Sequence, residues 1–287
     1  MADAAPRPTP RPFRFLADPG EFADGPALRD IARRAESMGY ASLVYPDHIV
    51  APLGFLPVLA SVAAVTDRLR VQPFVANNDL RHPVLLAQDL ATIDVLSGGR
   101  VDVGLGAGWN RPEYEALGLE FEPVGVRVAR LAEAVAVIKG CFADGAFSVW
   151  GEHYTVTEHE GLPKPVQKPH PPIFIGGGGR RVLTLAAREA AGERFADLEF
   201  NVYPTGVPAT ITKDARKIAA DTLDRIRNSS GVELSIDEWL ASPNVFVGTL
   251  DTLVAKVREL RERLGISSYM LGDVDGMAPL VERLAGS

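Results

Sequence analysis

Apolar residues follow two alternating rhythms along this chain. Short β-branched runs fall at 13–17, 41–45, 69–75, 101–105, 172–175, 197–202, 245–247 and 267–271. Most are followed by a stretch in which apolar positions return every three or four residues, the spacing of one helix face. Two of these helices are sharply marked. "HPVLLAQDLATIDVLSGG" has Pro83 at its start, Leu86, Leu90 and Ile93 on one stripe, and Gly98 just past its end. "GTLDTLVAKVRELRERLG" offers Thr249 as N-cap, Leu253, Val257, Leu260 and Leu264 on one face, arginines in its last turns and Gly265 at the stop. Eight alternating βα units over about 250 residues predict an α/β chain folded as a (β/α)8 TIM barrel. A doubly wound sheet usually offers fewer strands and an early dinucleotide-binding turn.

One segment breaks the rhythm. Within 144–172, "FSVWGEHYTV" reads as a hairpin with its turn at 150–152, and a proline-rich connector follows. The segment is expected to be an insertion between the fourth helix and the fifth strand. Residues 204–238 mix a charged helical stretch with turn signals and resist division into elements. The expected organisation is a flexible N-terminal arm, 1–12, and one barrel domain, 13–287.

Composition narrows the class of function. With 46% hydrophobic and 23% charged residues in 287, the chain has an ordinary globular balance. A net charge of −7 argues against a nucleic-acid surface. The apolar stretch "FLPVLASVAAV" is too short to span a bilayer, and the proline- and arginine-rich start lacks the apolar core of a secretory signal. A cytoplasmic protein acting on a small molecule is the expectation. The single cysteine, Cys141, excludes an internal disulfide and lies in an apolar helical stretch, where a buried structural thiol is expected.

In a barrel, ligands meet the loops that follow the strands. Asp47 and His48 come after the second strand, and imidazole exchanges protons near neutral pH while a carboxylate can orient it. A capping Asp with a packed His explains the dipeptide equally well. No histidine pair has metal-ligand spacing, so no metal is expected. Gly176, Gly177, Gly178 and Gly179 follow the fifth strand and precede a helix in "IFIGGGGRR". They fit neither the P-loop nor the dinucleotide fingerprint, yet they offer side-chain-free N–H groups at a helix entry, a setting that favours an anion. A loose turn is the plainer alternative. Gly106 and Gly108 permit close approach of backbone to a flat ligand, and Trp109 can stack on such a ligand or simply plug the barrel.

Together these loops resemble the bacterial-luciferase-like superfamily of flavin- and deazaflavin-dependent oxidoreductases. The resemblance rests on "GYASLVYPDHI", "RHPVLLAQDLATIDVLSGGRVDVGLGAGWNRPEYEALG", "PKPVQKPHPPIFIGGGG" and "VFVGTLDTLVAKVRELRERLGISSYML". It implies a barrel with an insertion before strand five, often dimeric, that binds coenzyme F420 or FMN at the strand ends. The text is most similar to actinobacterial F420-dependent members, implying hydride transfer between F420 and a small organic substrate. An FMNH2-dependent monooxygenase is the alternative, and a non-catalytic flavin-binding barrel a further one. Carried over by residue, His48 would move a proton and Asp47 would orient it. Phe74, Val75, Ala76 and Asn77 match a bulge behind the ring that is often a non-proline cis peptide. Gly106, Ala107, Gly108 and Trp109 would run along the ring, and Gly176, Gly177, Gly178 and Gly179 would cup the phosphate. Deazaflavin-dependent sugar-phosphate dehydrogenases carry an acidic residue near the position of Trp109, which speaks against a sugar phosphate here.

Overall fold

Strand and helix alternate through the computed structural model, which describes residues 11–191, 198–204, 206–230 and 233–287. In chain order the first elements are β1 (Arg14–Asp18), α1 (Gly25–Ser37), β2 (Ser42–Tyr45), α2 (Phe55–Ala63), β3 (Arg70–Pro73), β4 (Ala76–Asn77), α3 (Pro83–Ser97) and β5 (Val103–Gly106). Next come α4 (Arg111–Leu117), α5 (Val124–Phe142), β6 (Phe147–Trp150), β7 (Thr155–His159), β8 (Ile173–Gly176) and α6 (Arg180–Leu185). The last are β9 (Phe200–Val202), β10 (Thr210–Ile211), α7 (Ala215–Ser230), α8 (Ile236–Ala241), β11 (Val247–Gly248), α9 (Leu250–Leu264), β12 (Ile266–Asp273) and α10 (Val274–Leu284). Each expected strand run contains a strand, although residue 197 of the sixth lies outside the described residues. Of the expected arm, only Arg11 and Pro12 are described. The described residues fall into two compact units, one from Leu43 to 191, the other made of residues up to Ser42 and those from 198 onward.

In the Leu43 unit, β4, β5 and β8 form a parallel sheet, with Ala76 opposite Leu105 and Leu105 opposite Ile175. The run expected at 69–75 holds β3 and ends at Pro73; a cis Phe74–Val75 peptide follows it, and the short strand β4 begins just beyond the run. Glycines on the neighbouring strands make room for this stretch. A Cβ on Gly104 would lie 1.9 Å from the Pro73 carbonyl oxygen, and Cβ atoms on Gly106 and Gly176 would lie 2.6 and 2.9 Å from Val75 methyls. Helix α3 starts on Pro83 and stops at Gly98, whose φ of 68° is left-handed, and Leu86, Leu90 and Ile93 are buried as the stripe predicts. Cys141 on α5 is buried, and burial pushes its thiol up to about 11, which fits the structural reading. Between α5 and β8, the strands β6 and β7 pair antiparallel, Val149 opposite Val156. Their connection is 151–154 instead of the expected 150–152, because Trp150 still pairs with Thr155.

In the other unit, β1, β12 and β9 are parallel, with Phe15 opposite Tyr269 and Tyr269 opposite Val202. The Thr249 side chain caps α9 and Gly265 ends it in the left-handed region, burying Leu253, Val257 and Leu260. Leu264 is exposed instead, at the last turn where the chain reverses. The stretch that resisted division holds β10, α7 and α8, closed around Ala219, Leu223, Trp239, Val245 and Val247. A reciprocal Ser235–Glu238 capping box starts α8. Among the described residues, no helix is long and apolar enough to cross a membrane, and no cluster of His, Cys, Asp and Glu could hold a metal ion.

Candidate active site

The polar residues of interest in the Leu43 unit stand at the C-terminal ends of its strands. His48 follows β2, and its Nδ1 lies 2.8 Å from Oε2 of Glu113, the third residue of α4. The Val50 N–H is 3.5 Å from the other oxygen of the same carboxylate. Glu113 is 2% exposed. Burial alone would raise its pKa, but the hydrogen bond and charge of His48, with the N–H groups of Val50 and Ile49, outweigh it and hold the carboxyl below its usual value. With Glu113 ionised, Nδ1 carries a proton and donates it, leaving Nε2 as the basic nitrogen. The half-exposed His48 ring meets exposed Trp109 edge-on, with centroids 5.6 Å apart. Among the described residues, Trp109 is therefore not packed as a plug.

Asp47 has different work from the one expected. Its Oδ2 accepts the Asn77 N–H at 3.0 Å and the Arg81 guanidinium at 2.7 Å, so it ties the end of β2 to the end of β4. The group that orients His48 is Glu113. The spacing of "NRPEYEALG" carried the signal: Pro112 in a first turn, Glu113 beside it and Gly118 as a left-handed stop mark a one-turn-plus helix inside what reads as a loop.

Asn77 connects this pair to the strand-four loop. Its Oδ1 lies 3.1 Å from the Tyr114 hydroxyl, which is also 2.9 Å from Asp79. Tyr114 fills the space beside Gly108: a Cβ there would lie 1.9 Å from its hydroxyl oxygen, and φ at Gly108 is +71°. Only glycine fits. The Arg127 guanidinium, 3.9 Å above the Phe121 ring, donates to the Ala107 carbonyl at 3.0 Å and to the Gly108 carbonyl. Ala76 is buried, and Phe74 stacks on Phe174 at 5.3 Å.

The four glycines divide. Gly176 makes room for Val75, and Gly177, with φ of +143°, faces Val182 closely. Gly178 and Gly179 are exposed, and Cβ atoms on them would meet nothing within 4 Å, so their backbone lies open at the start of α6. Arg181, in the first turn of α6, lies against Gly125 in the first turn of α5. The structure thus gathers His48 with Trp109, Asp47 with Asn77, and Val75 with Gly106 and Gly176, and leaves the backbone of Gly178 and Gly179 open.

Comparison with known proteins decides what kind of chain carries this arrangement. The luciferase-like monooxygenase family matches residues 12–198. The chain belongs to this family. Over 217 residues the luciferase-like chain is 28% identical to the FMNH(2)-dependent dimethylsulfone monooxygenase of Pseudomonas putida, covering 69% of this chain and 60% of that protein. Over 192 residues it is 33% identical to the F420-dependent glucose-6-phosphate dehydrogenase of Microbacterium testaceum (strain StLB037), covering 64% of this chain and 56% of that one. It spans less than two thirds of the length of either. Among solved structures, the coenzyme F420 dependent tetrahydromethanopterin reductase from Methanopyrus kandleri superposes with a TM-score of 0.75 at 18% identity, over 96% of this chain and 98% of that one. That likeness shows the α/β fold of the luciferase-like barrels. Oxidoreductases tied to reduced FMN and to F420 both stand among the relatives.

Proposed function

We propose that this luciferase-like chain is an oxidoreductase that transfers a hydride between coenzyme F420 and a small organic substrate. One observation carries the reading: His48, held at 2.8 Å by a buried carboxylate, presents its other ring nitrogen beside an exposed Trp109. Residues 13–287 are read as one (β/α)8 domain with 144–172 as an insertion before its fifth strand, acting in the cytoplasm as a homodimer.

The residues present suit a flat, phosphorylated cofactor. Backbone free of side chains at Gly178 and Gly179, at the entry to α6, is a setting for a phosphate. Gly106, Ala107, Gly108 and Trp109 would run along the ring, with the Phe74, Val75, Ala76 and Asn77 turn behind it. Bound there, the deazaflavin supplies the carbon that takes or gives the hydride. The chain's own part is proton management. Glu113 fixes the Nδ1–H tautomer, Nε2 of His48 takes or returns the proton at a substrate oxygen, and the buried carboxylate stabilises the imidazolium formed meanwhile. Asp47, through Asn77 and Arg81, keeps the ends of β2 and β4 in register under that ring.

A reduced-flavin monooxygenase is the second reading, supported by the similarity to the dimethylsulfone monooxygenase. Titration of the protein with F420 and with FMN, followed by cofactor fluorescence, separates the two when combined with oxygen uptake. Tight F420 binding without oxygen consumption is expected. Oxygen-coupled oxidation of a substrate with FMNH2 alone would overturn the hydride-transfer reading.

A further inference from the structure

Among the described residues, the surface beside His48 is apolar, while the charges beneath it are mostly paired. The loop that follows it exposes Ile49 by 44%, Val50 by 76% and Leu53 by 47%, and Trp109 against its ring is 74% exposed. Single exposed apolar residues need no explanation, but four around one reactive imidazole form a patch, and such patches mark contact sites. The loop is not slack, since the Val50 N–H meets the carboxylate that holds His48.

Three cations nearby are already engaged. Arg81 is 2.7 Å from Asp47, Arg130 is 3.0 Å from Asp79 and also bonds Glu122, and Arg127 is taken by the Ala107 and Gly108 carbonyls. Arg111 lies over Phe121 and is mostly exposed, with Glu115 3.9 Å away at the surface. To reach Arg81, Arg127 or Arg130, a phosphate or carboxylate on the substrate would have to displace a carboxylate or carbonyl, and it would face the ionised Glu113 and the surplus acid of the Asp79–Glu122–Arg130 cluster.

We infer that this end of the molecule selects an uncharged, largely apolar substrate, laid over Trp109 and the 49–53 loop with its polar oxygen turned to His48. The inference rests on the reading of His48 as the proton-moving group. It assigns Val50 and Trp109 as specificity-determining residues, and the 49–53 loop as the surface that covers the apolar part.

The test uses 2-octanone and glucose 6-phosphate as probes on the full chain, with binding followed by isothermal titration calorimetry and by tryptophan fluorescence. The ketone is expected to bind at least about tenfold more tightly than the sugar phosphate and to quench a signal that Trp109→Phe removes. Val50→Asp, an exposed substitution that the fold tolerates, is expected to weaken the ketone by about tenfold while leaving F420 and FMN titrations unmoved. Equal or tighter binding of glucose 6-phosphate overturns the inference, as does ketone binding indifferent to Val50→Asp. Apolar preference in a protein that binds neither cofactor would support this inference while sinking the cofactor reading. Cofactor binding joined to sugar-phosphate preference would do the reverse.

Discussion

Two polar networks stand at opposite ends of the same strands in the Leu43 unit, and they are built to opposite purposes. Where β3, β5 and β8 begin, Asp94, Arg70 and Arg100 close on backbone groups and on one another's neighbours. Fully buried Asp94 accepts the N–H groups of Val101 at 3.2 Å, Val166 at 2.8 Å and Gln167 at 3.2 Å, and the Gln167 side chain at 2.8 Å. Arg70 is 2.6 Å from Asp102, and Arg100 donates to the Ala63, Leu69 and Ser97 carbonyls. Where the strands end, Asp47 bonds Asn77 and Arg81, Asn77 bonds Tyr114, and Arg127 holds the Ala107 and Gly108 carbonyls, while beside Tyr114 the carboxylate of Glu113 holds a histidine with one ring nitrogen left over and an exposed tryptophan against it. The first network holds backbone groups that would otherwise be buried unpaired. The second positions a reactive group and leaves it open, and that difference locates chemistry more surely than residue type does, since both ends are rich in Asp and Arg.

The comparison can be broken by exchanging consequences between the ends. Asp94→Ala orphans four donors at once and is expected to cost about 4 kcal/mol of stability, read as a lowered midpoint in urea. His48→Gln at the other end is expected to leave that midpoint within about 1 kcal/mol while lowering turnover roughly 100- to 1000-fold. A large stability loss from the histidine, or a small one from the aspartate, would erase the distinction. Glu113→Gln sits between the two and is expected to reduce turnover about tenfold, with Glu113→Asp partly restoring it. The sign of its pH dependence is fixed. The folded carboxyl titrates below its ordinary value, so its contribution is complete above the usual carboxylate range and is lost as pH falls through the folded value. The variant should therefore lack that acid limb in both stability and rate profiles.

The smallest expected effect concerns the hairpin turn. Glu133 on α5 accepts the N–H groups of Glu152, His153 and Tyr154 at 3.0, 2.8 and 3.0 Å. Burial tends to raise its pKa, but these three backbone donors lower it overall. Glu133→Gln is expected to cost about 1 kcal/mol and to speed amide hydrogen exchange at 152–154, with the acid dependence of the same sign as for Glu113. Unchanged exchange there would show that the carboxylate does not hold the turn.

Much of this was legible in the residues because it is local. Helix α3 follows from Pro83, an apolar stripe and Gly98, and α9 from Thr249 and Gly265. These signals act within a few residues, where capping and the missing Cβ of glycine decide conformation. The positions of the strands followed for the same reason, and so did the choice of His48 and the glycine-rich strand ends as places to look. Residues 204–238 were opaque because β10, α7 and α8 are short or charged and gain their order from packing around Trp239 and Leu223, which no local pattern records.

By itself, the sequence determined the alternation of strands and helices, the caps that bound the helices, and the set of residues able to carry chemistry. Only the tertiary structure decided which acid serves which base. Asp47 is next to His48 in the chain, but successive residues at a strand end project to different sides, and a carboxylate 65 positions further on arrives at 2.8 Å. It also decided the glycines: Gly106 and Gly176 are small because Val75 occupies the space of their side chains, whereas Gly178 and Gly179 are open. Adjacency in sequence constrains backbone geometry over a few residues, while hydrogen bonding and excluded volume act between whatever the fold brings within contact distance.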